Sequence, residues 1–143
     1  MADMPTAGAG EPREGQIVTF YSFKGGTGRT MALANVAWIL AANGYRVLAA
    51  DWDLESPGLD RFYQPFLEDQ EVRDSPGIID LIREYERTAM RTPPAKRPEI
   101  FGQVARVEQY AFSLAWEFPE DGCLDFLSPG KLNLDYVASL SGM

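Results

Sequence analysis

The glycine-rich stretch Lys24–Thr30, which reads K-G-G-T-G-R-T, constrains the fold more than any other feature because of the segments that flank it. Residues 17–23 are apolar and β-prone without strict alternation, which is typical of a strand buried on both faces. Residues 30–42 are alanine-rich and apolar nearly all round, which predicts a buried helix. Residues 46–52 predict a second buried strand. A helix that joins two buried strands predicts a right-handed parallel βαβ unit over residues 17–52.

The rest of the chain gives weaker signals for its elements. Residues 77–90 carry apolar side chains at helical spacing, and the prolines of residues 91–99 predict a loop after that helix. Two β-prone segments follow, at 103–107 and 109–118, and each predicts a strand. Residues 123–127 predict one more short buried strand. Strands and helices that alternate in this way indicate an α/β domain.

Composition excludes several classes of function. The chain of 143 residues has a formal net charge of −8 and no histidine, so it can form neither a Ser-His-Asp triad nor a histidine-rich metal site. The negative charge argues against a general nucleic-acid-binding surface. Residues 1–15 lack the apolar core of a signal peptide and are expected to form a disordered tail. The single cysteine, Cys123, and the absence of an apolar run long enough to span a bilayer favour a cytoplasmic location.

The glycine-rich stretch has the chemical groups that a phosphate-binding loop needs. Gly25, Gly26 and Gly28 allow the backbone to approach an anion closely, and the start of the next helix directs its amide groups toward it. Arg29 supplies a cation and Thr30 a hydroxyl that can bind Mg²⁺. The general phosphate-loop pattern nevertheless has a lysine where this chain has Arg29.

The loop resembles a more specific pattern, K-G-G-x-G-K-[ST], which is found in the MinD/ParA-type ATPases. Lys24 matches the additional lysine that opens the deviant Walker A loop of this family, and Arg29 places the chain in a K-G-G-x-G-R subset. The resemblance implies that the whole loop binds the nucleotide: Lys24, Gly25, Gly26, Thr27, Gly28, Arg29 and Thr30. It also implies catalytic roles for Lys24, Arg29 and Asp53.

Two aspartates extend the resemblance beyond the loop. Asp51 and Asp53 form the D-x-D sequence that ends the next strand in this family, and Asp53 lies 24 positions after Arg29. Ligands bind at the carboxyl ends of parallel strands, and the Mg²⁺ that accompanies a polyphosphate prefers oxygen ligands. The resemblance implies that Thr30, Asp51 and Asp53 hold the metal or its water shell. A turn or helix cap is the alternative role for either aspartate.

The resemblance implies a three-layer α/β/α fold of the P-loop NTPase type with a parallel sheet. We expect residues 16–143 to be the N-terminal portion of such a domain, because an apolar strand ending in a D-x-x-G switch is not found in the sequence. The implied function is Mg²⁺-dependent ATP hydrolysis that drives dimerisation, with Lys24 reaching into the partner's nucleotide site. The alternatives are a non-hydrolysing nucleotide sensor or scaffold in a signalling or defence assembly, and a bacterial-type tyrosine kinase. The residues do not distinguish ATP from GTP.

Overall fold

The computed structural model describes residues 15–67, 75–104 and 106–130. The predicted tail, apart from residue 15, and residues 131–143 lie outside these ranges. The described α-helices and β-strands, in chain order, are α1 (Arg29–Ala42), β1 (Arg46–Ala50), α2 (Asp60–Tyr63), α3 (Ile78–Arg91), α4 (Arg97–Val104), β2 (Ala111–Ser113) and β3 (Cys123–Leu127). Helix α3 and strand β3 lie within one residue of their predicted bounds. Among the described residues, no helix is long and apolar enough to cross a membrane.

The described strands form one mixed sheet in the order β1-β3-β2. Strands β1 and β3 are parallel, with Arg46 opposite Cys123 and Ala50 opposite Leu127. Strand β2 runs antiparallel to β3, with Phe112 opposite Phe126. The parallel pair confirms the α/β character of the chain, and the antiparallel edge strand makes the sheet mixed, whereas the resemblance implied a parallel sheet.

Helix α1 packs on one face of this sheet through small side chains. Ala34, Ala37 and Ala41 are buried, and their size lets the helix approach strand β1 and the buried ring of Phe126 closely. Tyr63 of α2 completes this core, with its ring 5.8 Å from that of Phe126 in an edge-on arrangement. Burial raises the pKa of the Tyr63 hydroxyl to about 12, so the group stays neutral throughout the physiological pH range.

Helix α1 ends in a glycine-dependent turn that leads into β1. Gly44 adopts a left-handed conformation with φ of 81°, which costs least without a side chain. The Gly44 amide donates to the Ala41 carbonyl, and the Tyr45 amide donates to the Leu40 carbonyl. These two hydrogen bonds form a Schellman motif, which satisfies carbonyl groups in the last turn of the helix.

The strand predicted over residues 17–23 does not form. The described residues before the loop have no regular structure, and Ile17 and Phe23 are each at least 95% exposed. A strand requires a hydrogen-bonded neighbour, and this segment pairs with neither β1 nor β2, the two edge strands of the described sheet. High β-propensity is not sufficient without such a partner. The βαβ unit predicted over residues 17–52 was therefore wrong for the described structure, in which only its helix and second strand are present.

Four other predictions also need correction. Helix α1 is not buried all round, because Met31 and Ile39 are more than half exposed on the side that faces away from the sheet. The loop predicted over residues 91–99 is shorter, since helix α4 begins at Arg97 with Pro98 in its first turn, where a missing amide hydrogen has no cost. That helix also replaces the first part of the strand predicted over residues 103–107, and the strand predicted over 109–118 shortens to β2.

Candidate functional site

The glycine-rich loop is folded by hydrogen bonds between its own residues. The Ser22 hydroxyl donates to the Lys24 carbonyl at 3.0 Å, and the Thr27 hydroxyl donates to the Ser22 hydroxyl at 3.0 Å. Gly26 and Gly28 both have positive φ, at 72° and 79°, a conformation that glycine adopts without steric cost. The sequence requirement for glycine at these two positions is therefore conformational.

Helix α1 begins directly after this loop with an open N-terminus. Gly28 is the N-cap residue in a left-handed conformation, and the helix has no side-chain cap. The first amide groups of any α-helix lack carbonyl partners within the helix, and together with the helix dipole they attract anions. The 14 residues of α1 thus present uncapped amide donors at the end of a glycine-rich loop, as the sequence predicted.

The structure brings together the two charged residues that the sequence placed 24 positions apart. Nη2 of Arg29 lies 2.8 Å from Oδ2 of Asp53, and both side chains are about one-third exposed. A cation in the first turn of a helix is unfavourable for the helix dipole, and the Asp53 carboxylate offsets this cost. The guanidinium of Arg29 therefore has a carboxylate partner in this structure.

Asp51 and Asp53 follow β1 but have different surroundings. Asp51 is 94% buried, and its Oδ2 accepts hydrogen bonds from the amides of Gly58 and Leu59 at 3.0 Å. Its Oδ1 accepts from the Asp53 amide at 3.1 Å. Asp53 is half-buried, and its Oδ1 accepts from the Ser56 amide at 3.1 Å. Asp51 thus fixes the turn after β1, which is the capping role that the sequence left open beside a metal-binding role.

A cleft of about 700 Å³ opens beside the first turn of α1. Its lining consists of Thr30 from that turn and five residues from the chain after β1: Ser56, Pro57, Gly58, Arg61 and Phe62. The sequence predicted the position of Thr30 in a site, but it did not single out Ser56 or Arg61. Those two residues are brought to the cleft by the turn that Asp51 holds. The Pro57-Gly58 pair marks a turn in the sequence, but it does not show that the turn approaches α1.

The oxygen atoms near this cleft are chemically suited to Mg²⁺. Thr30 has a hydroxyl, and each oxygen of the Asp53 carboxylate retains a lone pair beside the one that it shares with Arg29 or Ser56. Three of the lone pairs of Asp51 are engaged with backbone amides. Thr30 and Asp53 would therefore hold the ion, directly or through water, where it would neutralise phosphate charge, while Asp51 would position Asp53.

Lys24 lies apart from this group. Its side chain is exposed, and among the described residues no carboxylate lies within ion-pair distance of its ammonium group. The structure therefore brings together Arg29 and Asp53, with Asp51 behind them and Thr30 at the cleft, but it does not bring Lys24 to them.

Comparisons with known proteins agree with this geometry. The profile of the CobQ/CobB/MinD/ParA nucleotide binding domain matches residues 18–123, which include the loop, α1, both aspartates and the cleft. A curated protein of Rhizobium rhizogenes named "Putative replication protein A" is 50% identical over 38 residues, which are 27% of this chain and 9% of that protein. The similarity therefore covers only about a tenth of the length of this relative. No solved structure matches.

The profile match covers well over half of the chain and begins just before the loop that carries the characteristic residues. It also accounts for the α/β architecture, because the domain has the P-loop NTPase fold. The matched range includes the loop, the uncapped start of α1 and the two aspartates that follow β1. The chain belongs to the CobQ/CobB/MinD/ParA nucleotide-binding domain family.

Proposed function

We propose that the chain is the Mg²⁺-ATP-binding module of a MinD/ParA-like ATPase whose nucleotide state controls dimerisation. The observation that carries the proposal is the uncapped N-terminus of α1 after a loop with two left-handed glycines, next to the Arg29–Asp53 pair. Amide donors, a cation and a carboxylate are the groups that phosphoryl transfer to water requires. The proposal includes a cytoplasmic location.

In the proposed reaction, water attacks the γ-phosphorus, and the bond to the oxygen that bridges the β- and γ-phosphates breaks. ADP leaves with that oxygen, and inorganic phosphate and a proton are released. The amides at residues 25–30 would bind the phosphates, and Thr30 would bind the metal. Asp53 would orient the attacking water once the phosphates draw Arg29 away from its carboxylate.

Dimerisation depends on Lys24 in this proposal. Its exposed side chain, without an ion pair among the described residues, is free to reach the nucleotide of a second copy. The proposal also takes residues 16–143 to be the N-terminal portion of the nucleotide-binding domain.

A second function, nucleotide sensing without hydrolysis, is favoured by the contact between Arg29 and Asp53. If bound phosphate does not separate them, Asp53 cannot orient water and Arg29 cannot neutralise the leaving phosphate. The chain would then bind nucleotide as a scaffold in a signalling or defence assembly.

One set of measurements distinguishes these functions. Three quantities are measured: Mg²⁺-ATP binding by calorimetry, the rate of phosphate release, and molar mass by light scattering. They are compared between the full chain and the variants Asp53→Ala, Arg29→Lys and Lys24→Ala. We expect Asp53→Ala to abolish phosphate release, and Lys24→Ala to abolish the nucleotide-dependent dimer while monomeric binding persists. Binding without turnover, with turnover gained in Arg29→Lys, would support the sensor. A full chain that does not bind Mg²⁺-ATP would overturn both proposals.

A further inference from the structure

The cleft beside α1 is lined by an arginine whose surroundings differ from those of Arg29. Arg61 lines this cleft together with Thr30, and its side chain is exposed. Among the described residues, no carboxylate lies within ion-pair distance of its guanidinium, whereas Arg29 is paired with Asp53 at 2.8 Å. Arg61 therefore brings to the cleft a positive charge that no described carboxylate pairs with.

The position of Arg61 is fixed by its neighbours in the chain. Leu59 and Tyr63 are 1% and 2% exposed, and they anchor the start and the end of α2 in the core. These two residues are four positions apart and share one side of the helical turn, so Arg61, midway between them, points away from the core. The amide of Leu59 is also held by the buried carboxylate of Asp51. The turn after β1 thus presents Arg61 to the cleft from a well-anchored backbone.

An unpaired guanidinium that faces a cleft lined by hydroxyl groups is suited to a phosphate. It can donate two parallel hydrogen bonds to phosphate oxygens, and it retains its charge at any physiological pH. Thr30, which directly follows the loop in the chain, and Arg61 both line this cleft. A polyphosphate that starts on the loop and extends past Thr30 would therefore end near Arg61.

We infer that Arg61 is a nucleotide-binding residue that contacts the terminal phosphate of bound Mg²⁺-ATP and so favours the triphosphate over the diphosphate. Arg61 provides the free positive charge that Arg29 lacks while it remains paired with Asp53. This inference rests on the proposed nucleotide-binding function and adds to it the residue that distinguishes the two nucleotides.

Calorimetric titrations of the full chain with Mg²⁺-ATP and with Mg²⁺-ADP test the inference. Arg61→Ala is expected to weaken Mg²⁺-ATP binding by about tenfold or more, because a charge-assisted hydrogen bond is lost, and to change Mg²⁺-ADP binding by less than about twofold. Arg61→Lys is expected to retain part of the preference for ATP. Arg46→Ala is the matched control, since Arg46 is also exposed but begins β1, at the end of the strand opposite to the aspartates.

Two results would overturn the inference while the proposed function stands. One is a loss of Mg²⁺-ATP affinity in Arg61→Ala no greater than that in Arg46→Ala. The other is an equal loss for ATP and ADP, which would place Arg61 away from the terminal phosphate. If the unmodified chain binds neither nucleotide, the proposed function itself fails, and the measurement on the unmodified chain reveals this before any variant is compared.

Discussion

The carboxylates of Asp51 and Asp53 lie two residues apart in the sequence, yet they have different roles in the structure. Asp53 faces the loop and pairs with Arg29, whereas Asp51 is buried and accepts three backbone hydrogen bonds. The donors to Asp51 come from the turn that carries the cleft residues. Asp51 therefore contributes to the site by holding the backbone, and Asp53 is the residue whose oxygen atoms remain accessible.

This division of roles predicts the stability of Asp51→Asn. An asparagine offers one acceptor oxygen and turns a donor NH₂ group toward amides that need an acceptor, so buried donors are left unsatisfied. We expect the free energy of unfolding to fall by about 2 kcal/mol, measured by urea denaturation without nucleotide or magnesium. The absence of both ligands means that a metal-binding role cannot account for a loss.

Asp121→Asn is the control for this change. Asp121 is exposed, and its φ of 62° is one that asparagine tolerates well. We expect this variant to stay within about 0.5 kcal/mol of the unmodified chain. Equal stability of the two variants would mean that the hydrogen bonds to Asp51 do not hold the turn in solution.

At the residue scale, the sequence predicted that Arg29 and Asp53 lie in one site but not that their side chains form an ion pair. The spacing of Arg29 and Asp53, with a helix and a strand between them, is sufficient to predict that both lie at one end of the sheet. The partners of Asp51 depend on where the chain returns after residue 56, which is set by the burial of Leu59 and Tyr63 in the core. The position of Arg61 follows from the same tertiary contacts and has no local signal.

At the scale of elements, two Ser-Pro-Gly turns, at residues 75–77 and 128–130, pack together at the junction between α3 and β3. The amides of Ile78 and Ile79, at the start of α3, donate to the carbonyls of Ser128 and Pro129, which follow β3. Gly77, the N-cap of α3, approaches this turn so closely that an added Cβ would lie 2.4 Å from the Ser128 carbonyl oxygen. Backbone hydrogen bonds and close backbone packing at these turns therefore connect α3 to the central strand β3.

Substitution by alanine should have opposite effects on stability at Gly77, which lies at this junction, and at Gly102, which lies in helix α4. Gly77→Ala should lower the free energy of unfolding by about 2 kcal/mol or more, because the methyl group meets backbone that cannot move aside easily. Gly102→Ala should raise it by up to about 1 kcal/mol, since Gly102 lies in exposed helix α4 with nothing within 4 Å of an added Cβ. Thermal unfolding followed by circular dichroism measures both, and a stabilising Gly77→Ala would contradict the packing at the junction.

Helix α3 and strand β3 were predicted well, whereas helices α2 and α4 were not predicted and the strand expected over residues 17–23 does not form. The helical spacing of apolar residues gave α3, and the compact apolar run gave β3, within one residue. Residues 17–23 have equally high β-propensity but no hydrogen-bonding neighbour among the described residues. Strand formation is a property of a pair of segments, whereas helix formation is a property of one, so composition alone could not decide the outcome for this segment.

At the scale of the whole molecule, the described structure consists of a well-packed region and an exposed segment that leads into the loop. Strand β3 is central, with β1 on one edge and β2 on the other, and Leu124 and Phe126 are at most 1% exposed. Residues 15–22 lie outside this sheet, with Ile17 and Tyr21 more than two-thirds exposed. The segment that directly precedes the phosphate-binding loop is therefore the part of the site that the described core supports least.

This contrast predicts the pattern of amide hydrogen exchange in the full chain without nucleotide. Amides open with free energies that range from near zero in unpaired segments to the full unfolding free energy in central strands. Peptides that cover residues 16–22 should exchange at close to the rate of an unstructured chain, whereas peptides that cover β3 should exchange slowest. Mass spectrometry after a few seconds of labelling separates the two classes. Protection of residues 16–22 equal to that of β3 would mean that this segment pairs as a strand in solution, and the sheet would then include the position that the sequence predicted for it.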